Sequence, residues 1–430
     1  MARRVAYLTD IEGRWDKLVD FCAKNPLVTL DPAGALRVAD GAVFVFGGDA
    51  IDRGPAGRRI LATLLAATSA QPDRVVLLAG NRDVNKLRLA RELAGAPPQE
   101  TPADLRDGTR RADLLRFIFE KTMGAREAFE HRRAELVLDG RSAEDADVVD
   151  SWRADVAPDG PLTRYLARAV LAHREGETLF VHGNVTAENL GVVPGRPGRI
   201  GDVDGWIAAL DAFYAASIDA FVTGRTAPDG SGLWQPLLAY QAPVPGTRQN
   251  QGSVIYARAA DELGEPLLPP EHVVAALRAA SIRRVVVGHT PSGDCPALVR
   301  DPSGFELVLA DNSYGRVERG SRVIVGDDGV AFAGTTVLDS GEHADVATGP
   351  GDDPALGLRD ATTGRLLKAR LAGSGDAKSP GEGSGDAKSP GCRYLGFRAL
   401  PGHRVEQVAI AASSVEPAAL VPPRRQRNVA

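Results

Sequence analysis

Cysteine is scarce in this chain of 430 residues, with Cys22, Cys295 and Cys392 its three examples. They are too few and too scattered for a disulfide framework or a thiolate-ligated metal, and a reducing cytoplasm is the compartment they suggest. No strong excess of either charge is present: a formal net charge of -5 excludes a nucleic-acid binder held mainly by a basic surface. No run approaches the roughly 18 uninterrupted apolar residues of a membrane span, so no membrane partner is expected. A cleavable signal is not expected either, because the first strand-like run, Val5-Ala6-Tyr7-Leu8, starts almost at Met1. With 43% hydrophobic and 25% charged residues, the composition is that of an ordinary globular protein.

What the chain does have is an uncharged run, Val43-Phe44-Val45-Phe46, that stops at Gly47-Gly48-Asp49-Ala50-Ile51-Asp52-Arg53-Gly54. Such a run reads as a buried strand, so Asp49 emerges at a carboxyl end, the edge of an open α/β sheet where ligands bind. Asp49 is a hard oxygen ligand, and Arg53 carries a permanent planar charge suited to phosphate oxygens. Four more strand ends repeat the pattern. Val5 to Leu8 is followed by Thr9-Asp10-Ile11-Glu12, and Val75 to Ala79 by Gly80-Asn81-Arg82-Asp83. Leu179 to Val181 is followed by His182-Gly183-Asn184, and Val285 to Val287 by Gly288-His289-Thr290-Pro291. Taken singly, Asp10 reads as a helix cap, Asn81 as a turn residue and either histidine as a hydrogen-bonded core residue. The order of the five blocks is what carries information.

That ordered set resembles the calcineurin-like metallophosphoesterases, in particular the branch of protein serine/threonine phosphatases and symmetrical dinucleoside tetraphosphatases. The resemblance implies a four-layer α/β/β/α sandwich with helical insertions. It also implies a dinuclear centre of two divalent ions, manganese first, with magnesium, iron or zinc as alternatives. Asp49 matches the bridging ligand; Asn81, His182 and His289 match the residues completing one metal site, and Asp10 and Glu12 those completing the other. Arg53 matches the clamp on the nonbridging phosphoryl oxygens. Asp52 matches the residue that orients a catalytic histidine, Arg82 stands where that histidine would be and is expected to bind phosphate, and Asn184 is a further substrate-binding candidate. The implied activity is phosphoester hydrolysis, with a metal-bound hydroxide attacking phosphorus in line. The implied substrate is a phosphorylated small molecule, nucleotide or phosphoprotein. Phosphoanhydride or phosphodiester hydrolysis is the alternative, and a non-catalytic phosphate-ligand binding protein is the alternative from another class.

Two positions depart from the family pattern. Where it reads Asp-x-His this chain has Asp10-Ile11-Glu12, and where it reads Gly-Asn-His-Asp/Glu this chain has Gly80-Asn81-Arg82-Asp83. One change adds a negative charge and the other a positive one, so the formal total is unchanged. Arg82 cannot donate a proton to a leaving oxygen, because its pKa stays above about 12, and a leaving group of low pKa is then favoured.

The rest of the chain organises around these blocks. Trp15, Leu18, Val19 and Cys22 predict a helix up to Lys24, and Ile60, Leu61, Leu64 and Leu65 a second one after Pro55. Residues 1–372 are expected to form the main domain, with a helical insertion at about 85–176 whose basic residues read as a solvated face rather than as substrate contacts. A second insertion is expected at about 203–270. It includes a loop from Gly224 to Gly252 whose Arg225 and Arg248 read as surface arginines with a substrate phosphate in reach. Arg322 to Val337 predicts a hairpin turning at Asp327-Asp328-Gly329, expected in the second sheet together with the strand at Phe305 to Asn312. Gly-Ser-Gly-Asp-Ala-Lys-Ser-Pro occurs twice between residues 373 and 391, a polar repeat that reads as a flexible linker. Residues 392–416 have strand character, and 417–430 are expected to be a disordered tail.

Overall fold

The computed structural model describes residues 3–317, 320–349, 353–372, 392–402 and 404–427. Its layers follow from the alternation of apolar side chains along the strands. In strands Arg4–Leu8 and Ala42–Phe46, Val5, Tyr7, Val43 and Val45 share one core, and Ala6, Leu8, Phe44 and Phe46 belong to another. The first set packs against Phe180, Val286 and Val308 of a second sheet, the Tyr7 and Phe180 rings stacking at 5.6 Å. The second set lies under helices, with Phe44 meeting Phe21 of helix Trp15–Lys24 at 5.8 Å. The chain is a four-layer α/β/β/α sandwich, in which strands buried on both faces are apolar throughout.

Among the described residues the larger sheet has 12 strands. At one end Ala169–Val170, Val75–Leu78, Ala42–Phe46 and Arg4–Leu8 run parallel. From Arg4–Leu8 the sheet continues antiparallel through Arg322–Gly326, Gly329–Val337, His343–Thr348, Arg365–Leu371, Arg393–Leu400 and Arg404–Ala411. In the smaller, 5-stranded sheet, Thr178–Val181, Arg284–Pro291 and Glu306–Asp311 are parallel neighbours. The hairpin at Asp327–Asp328 forms, but beside Arg4–Leu8 in the larger sheet instead of in the second one. A short apolar run carries no mark of which sheet it joins.

Other boundaries move as well. Strands Ala169–Val170 and Ala172–Glu175 return to the sheets inside the stretch expected to be wholly insertion; at two and four residues they are too short to stand out as apolar runs. Helix Val203–Val222 is capped by Asp202, whose carboxylate accepts from Gly205 N at 2.6 Å. It was expected to open a second insertion, yet it packs Trp206, Leu210 and Tyr214 into the main core as part of an outer layer. Among the described residues it is the one helix long and apolar enough to cross a membrane, and this packing takes up its apolar face. Residues 392–416 hold two paired strands at one edge of the larger sheet. The tail expected to be disordered is ordered to residue 427: Leu420–Val421 pairs with Arg359–Asp360, and Arg425 bridges to Leu268. The repeat at 373–391 lies outside the described residues.

Candidate metal centre

Two sets of parallel strands, one from each sheet, deliver their carboxyl ends to the same edge of the sandwich. Asp10, Asp49 and Asn81 leave the larger sheet; His182, His289 and Asp311 come from the smaller. The loops are tied together by main-chain bonds, Asp10 N to Gly48 O at 3.0 Å and Glu12 N to Asp49 O at 2.9 Å. His289 N donates across the sheets to the Asp10 carboxylate at 3.2 Å. Gly48 has φ +97°, and a Cβ there would meet Gly80 N at 2.6 Å and His182 Nδ1 at 2.9 Å, so the loops close only around a glycine. Among the described residues, six that are not glycine have positive φ: Asp10, Glu12, Asp49, Asp52, His289 and, away from the site, Ser281. Backbone strain of about 1 to 3 kcal/mol per residue is therefore concentrated at three of the five strand ends, those carrying Asp10, Asp49 and His289.

Ligand atoms of Asp10, Asp49 and His182 lie within 4.8 Å of one another. His182 Nδ1 is 2.7 Å from Gly47 O, which can only accept, so Nδ1 carries a proton and Nε2 is the nitrogen left for a metal ion. Nε2 faces Asn81 Oδ1 at 3.1 Å and Asp49 Oδ1 at 3.4 Å. His289 Nδ1 lies 2.8 Å from the same Asn81 oxygen, and its Nε2 is buried with no partner. Whichever tautomer His289 adopts, one polar nitrogen is unmatched. These acceptors need a cation among them, either a second proton on His182 or a metal ion that displaces it. The titration behaviour has the same origin. Burial alone would lower His182, yet Asp49 and then Asp10 hold it up to about 10. Burial raises Asp10 well above the usual carboxylate range, and the charge of Asp311 adds to this. His289 is pushed well down, by burial and then by Arg258, and stays a neutral donor of electrons. The donor set of carboxylates, an amide oxygen and two imidazoles therefore fits a divalent ion.

Glu12, expected in an all-oxygen second metal site, faces two arginines. Its Oε1 lies 2.8 Å from Arg82 Nε and its Oε2 3.4 Å from Arg53 NH1. Burial raises its pKa to about 7 despite both arginines. Arg82, expected to present its fork to phosphate, directs Nε to Glu12 and NH1 to Asp52 Oδ2 at 3.0 Å. Desolvation of a buried carboxylate beside a guanidinium is the physical reason for both departures: each charge takes the nearest opposite one. Asp52 also accepts from the buried Lys86 Nζ at 2.9 Å, so it positions Arg82. Arg53 stacks on the Tyr314 ring at 4.2 Å, donates to its hydroxyl and lines a side cavity of about 380 Å³.

A cleft of about 970 Å³ opens over Asp10, Asp49, Asn81 and His289. The helical insertion forms one wall, and its Arg88, Arg91, Arg106 and Lys121 line the cleft, where a solvated outer face had been expected. Asn184, a substrate-binding candidate from its place after His182, is wholly buried and is not among the lining residues. Arg225 pairs with Asp219 away from the cleft, and Arg248 lines an adjoining cavity of about 780 Å³. Arg258 lines both cavities, and no sequence signal pointed to it. Asp83, Lys86 and Asp311 were also missed as parts of the site. Asp83 accepts from Asp49 N at 2.8 Å and Ala50 N at 2.9 Å and so holds the turn; burial pushes its pKa up to about 7. The signal for Asp311 was available, since it ends an apolar strand as Asp49 does.

No family model and no curated protein matches the chain. It is similar to several solved structures. A cold-active protein-tyrosine phosphatase from a psychrophilic Shewanella is 17% identical over 80% of each chain, with a TM-score of 0.43. A protein serine/threonine phosphatase from Saccharomyces cerevisiae is 11% identical over 83% of this chain and 82% of that one, with a TM-score of 0.37. A metallophosphoesterase from Sphaerobacter thermophilus is 13% identical over 77% of this chain and 87% of that one, with a TM-score of 0.27.

Proposed function

We propose that the protein is a cytoplasmic, metal-dependent phosphoester hydrolase acting on a phosphorylated small molecule, nucleotide or phosphoprotein. The observation that carries this reading is the buried, partnerless His289 Nε2 together with the convergence of His182 Nε2, Asn81 Oδ1 and Asp49 Oδ1 at the floor of an open cleft with Arg82 beside them. Asp10, Asp49, Asn81, His182 and His289 would hold the metal, with manganese favoured and iron or zinc compatible with two imidazoles. A divalent ion bound there supplies Lewis-acid charge to the phosphoryl oxygens and an activated water.

The chain's own residues do the rest. Gly47 O fixes the His182 tautomer and keeps Nε2 aimed at the centre. Asp83 holds the main chain of Asp49 and Ala50, which orients the Asp49 carboxylate. Arg53, stacked on Tyr314 and paired with Glu12, would bind the nonbridging phosphoryl oxygens. Free Cys22, Cys295 and Cys392 agree with a reducing compartment.

A second reading, hydrolysis of a phosphoanhydride, is favoured by one observation. The residue after Asn81 is an arginine engaged with Glu12 and Asp52, so no proton donor stands where one would assist a poor leaving group. A phosphate-release screen of the manganese-loaded protein over mononucleotides, dinucleotides, sugar phosphates and phosphopeptides tests both readings. Turnover of at least one class is expected, highest where the leaving group has a low pKa. Retention of phosphate ligands with no release from any class would replace the hydrolase by a binding protein.

A further inference from the structure

We infer that the centre holds a single divalent ion and that the Arg82 guanidinium occupies the role of a second. This rests on the hydrolase reading for the first ion only. Three carboxylates surround the guanidinium: Glu12 Oε1 at 2.8 Å, Asp52 Oδ2 at 3.0 Å and Asp49 Oδ2 at 3.7 Å. Glu12 and Asp49 are two of the three oxygen donors that a second ion would need, and both oxygens of Glu12 already face arginines. Arg82 is also anchored in place. Its main-chain N donates to Asp49 Oδ1 at 2.9 Å, and Asp52 is held in turn by Lys86, which is wholly buried. A second ion would have to separate a buried ion pair and bring a double positive charge against two guanidinium groups.

The site is already rich in cations: Arg53, Arg82 and Lys86 pair with its buried carboxylates, and Arg258 lines the same cleft. A guanidinium in this place differs from an ion in that it cannot dissociate and cannot supply a water. It keeps a fixed positive charge next to the ligand Asn81 at any metal concentration.

The test is stoichiometry, read without reference to activity. The full chain is stripped with a chelator, reloaded with manganese, desalted and assayed by elemental analysis, calorimetric titration and electron paramagnetic resonance. One manganese per chain and a spectrum of isolated ions are expected. The Glu12→His/Arg82→His variant restores imidazoles at both positions and should take up two per chain with an exchange-coupled spectrum. Arg82→Gln frees Glu12 and Asp49 and should admit a second ion more weakly, which keeps the test open if the double variant does not fold. Two ions per wild-type chain with an exchange-coupled spectrum would overturn the inference, as would no manganese at all. A chain that binds one ion and hydrolyses nothing refutes the hydrolase reading and supports this one; a chain that hydrolyses with two ions does the reverse.

Discussion

Replacing Lys86 with methionine measures what the buried charge pair under the centre contributes. Lys86 is wholly buried, with Nζ 2.9 Å from Asp52 Oδ2 and 3.3 Å from Arg82 O. Removing one partner of a buried pair costs about 3 to 5 kcal/mol, because the other charge stays in the interior without compensation. Here Asp52 retains Arg82 NH1 at 3.0 Å, which places the loss near the lower end, about 3 kcal/mol. Urea unfolding of the metal-free protein reads it directly, with the slope m unchanged if the native state is otherwise intact. Asp52→Asn combined with Lys86→Met removes both charges together. The double variant should be more stable than the two single losses add up to, with a coupling of about 1 to 3 kcal/mol. A Lys86→Met protein within about 0.5 kcal/mol of wild type, or strictly additive losses, would refute the reasoning.

Three further outcomes follow from the geometry. Asp83→Ala leaves the main-chain donors of Asp49 and Ala50 without an acceptor. At about 1 to 3 kcal/mol for each buried donor, a loss on the order of 3 kcal/mol is expected in urea unfolding, with Asp83→Asn recovering about half. Burial raises Asp211 from 3.8 to about 6, against hydrogen bonds from Leu171 and Ala172. The folded state therefore holds that proton more tightly than the unfolded one; the contribution is full below about pH 4 and lost as pH rises through about 6. Asp211→Asn keeps an acceptor for Leu171 N and should gain on wild type by on the order of 2 kcal/mol across that interval, and a pH-independent difference would contradict this. Arg258→Met should raise KM for an anionic substrate about tenfold with little change in kcat, the effect of losing one hydrogen bond to a charged group.

The positions of the metal-ligand candidates were legible because each ends an uncharged run, and a strand's direction fixes where its last side chain emerges. Asp10, Asp49, Asn81, His182 and His289 meet at one edge for that reason. The partners of Glu12 and Arg82 were not legible. Adjacent blocks in a sequence do not state which opposite charges will face each other, and here desolvation decides: Arg82 turns into the cluster of Glu12, Asp49 and Asp52. Asn184 failed for a related reason, since a polar residue two places past a strand-end histidine has no pattern that distinguishes a cleft position from a buried one. The layer of the hairpin at Asp327–Asp328 was misjudged because local pairing fixes a hairpin and only long-range packing fixes its sheet. Arg88, Arg91 and Arg106 had the composition of a solvent-facing helix, and it is the way the insertion folds over the strand ends that brings them to the cleft.

Asp49 is the carboxylate that faces His182 Nε2 and Arg82 together, and Asp49→Asn tests the proposed centre most directly. Manganese content and phosphate release are measured side by side on the variant and on wild type, each stripped and reloaded, with thermal unfolding as the control for the fold. Wild type should bind manganese and release phosphate only when loaded, while Asp49→Asn should lose both and melt within a few degrees of the stripped wild type. A variant that still binds manganese and hydrolyses at the wild-type rate would show that the chemistry, if there is any, lies elsewhere in the molecule.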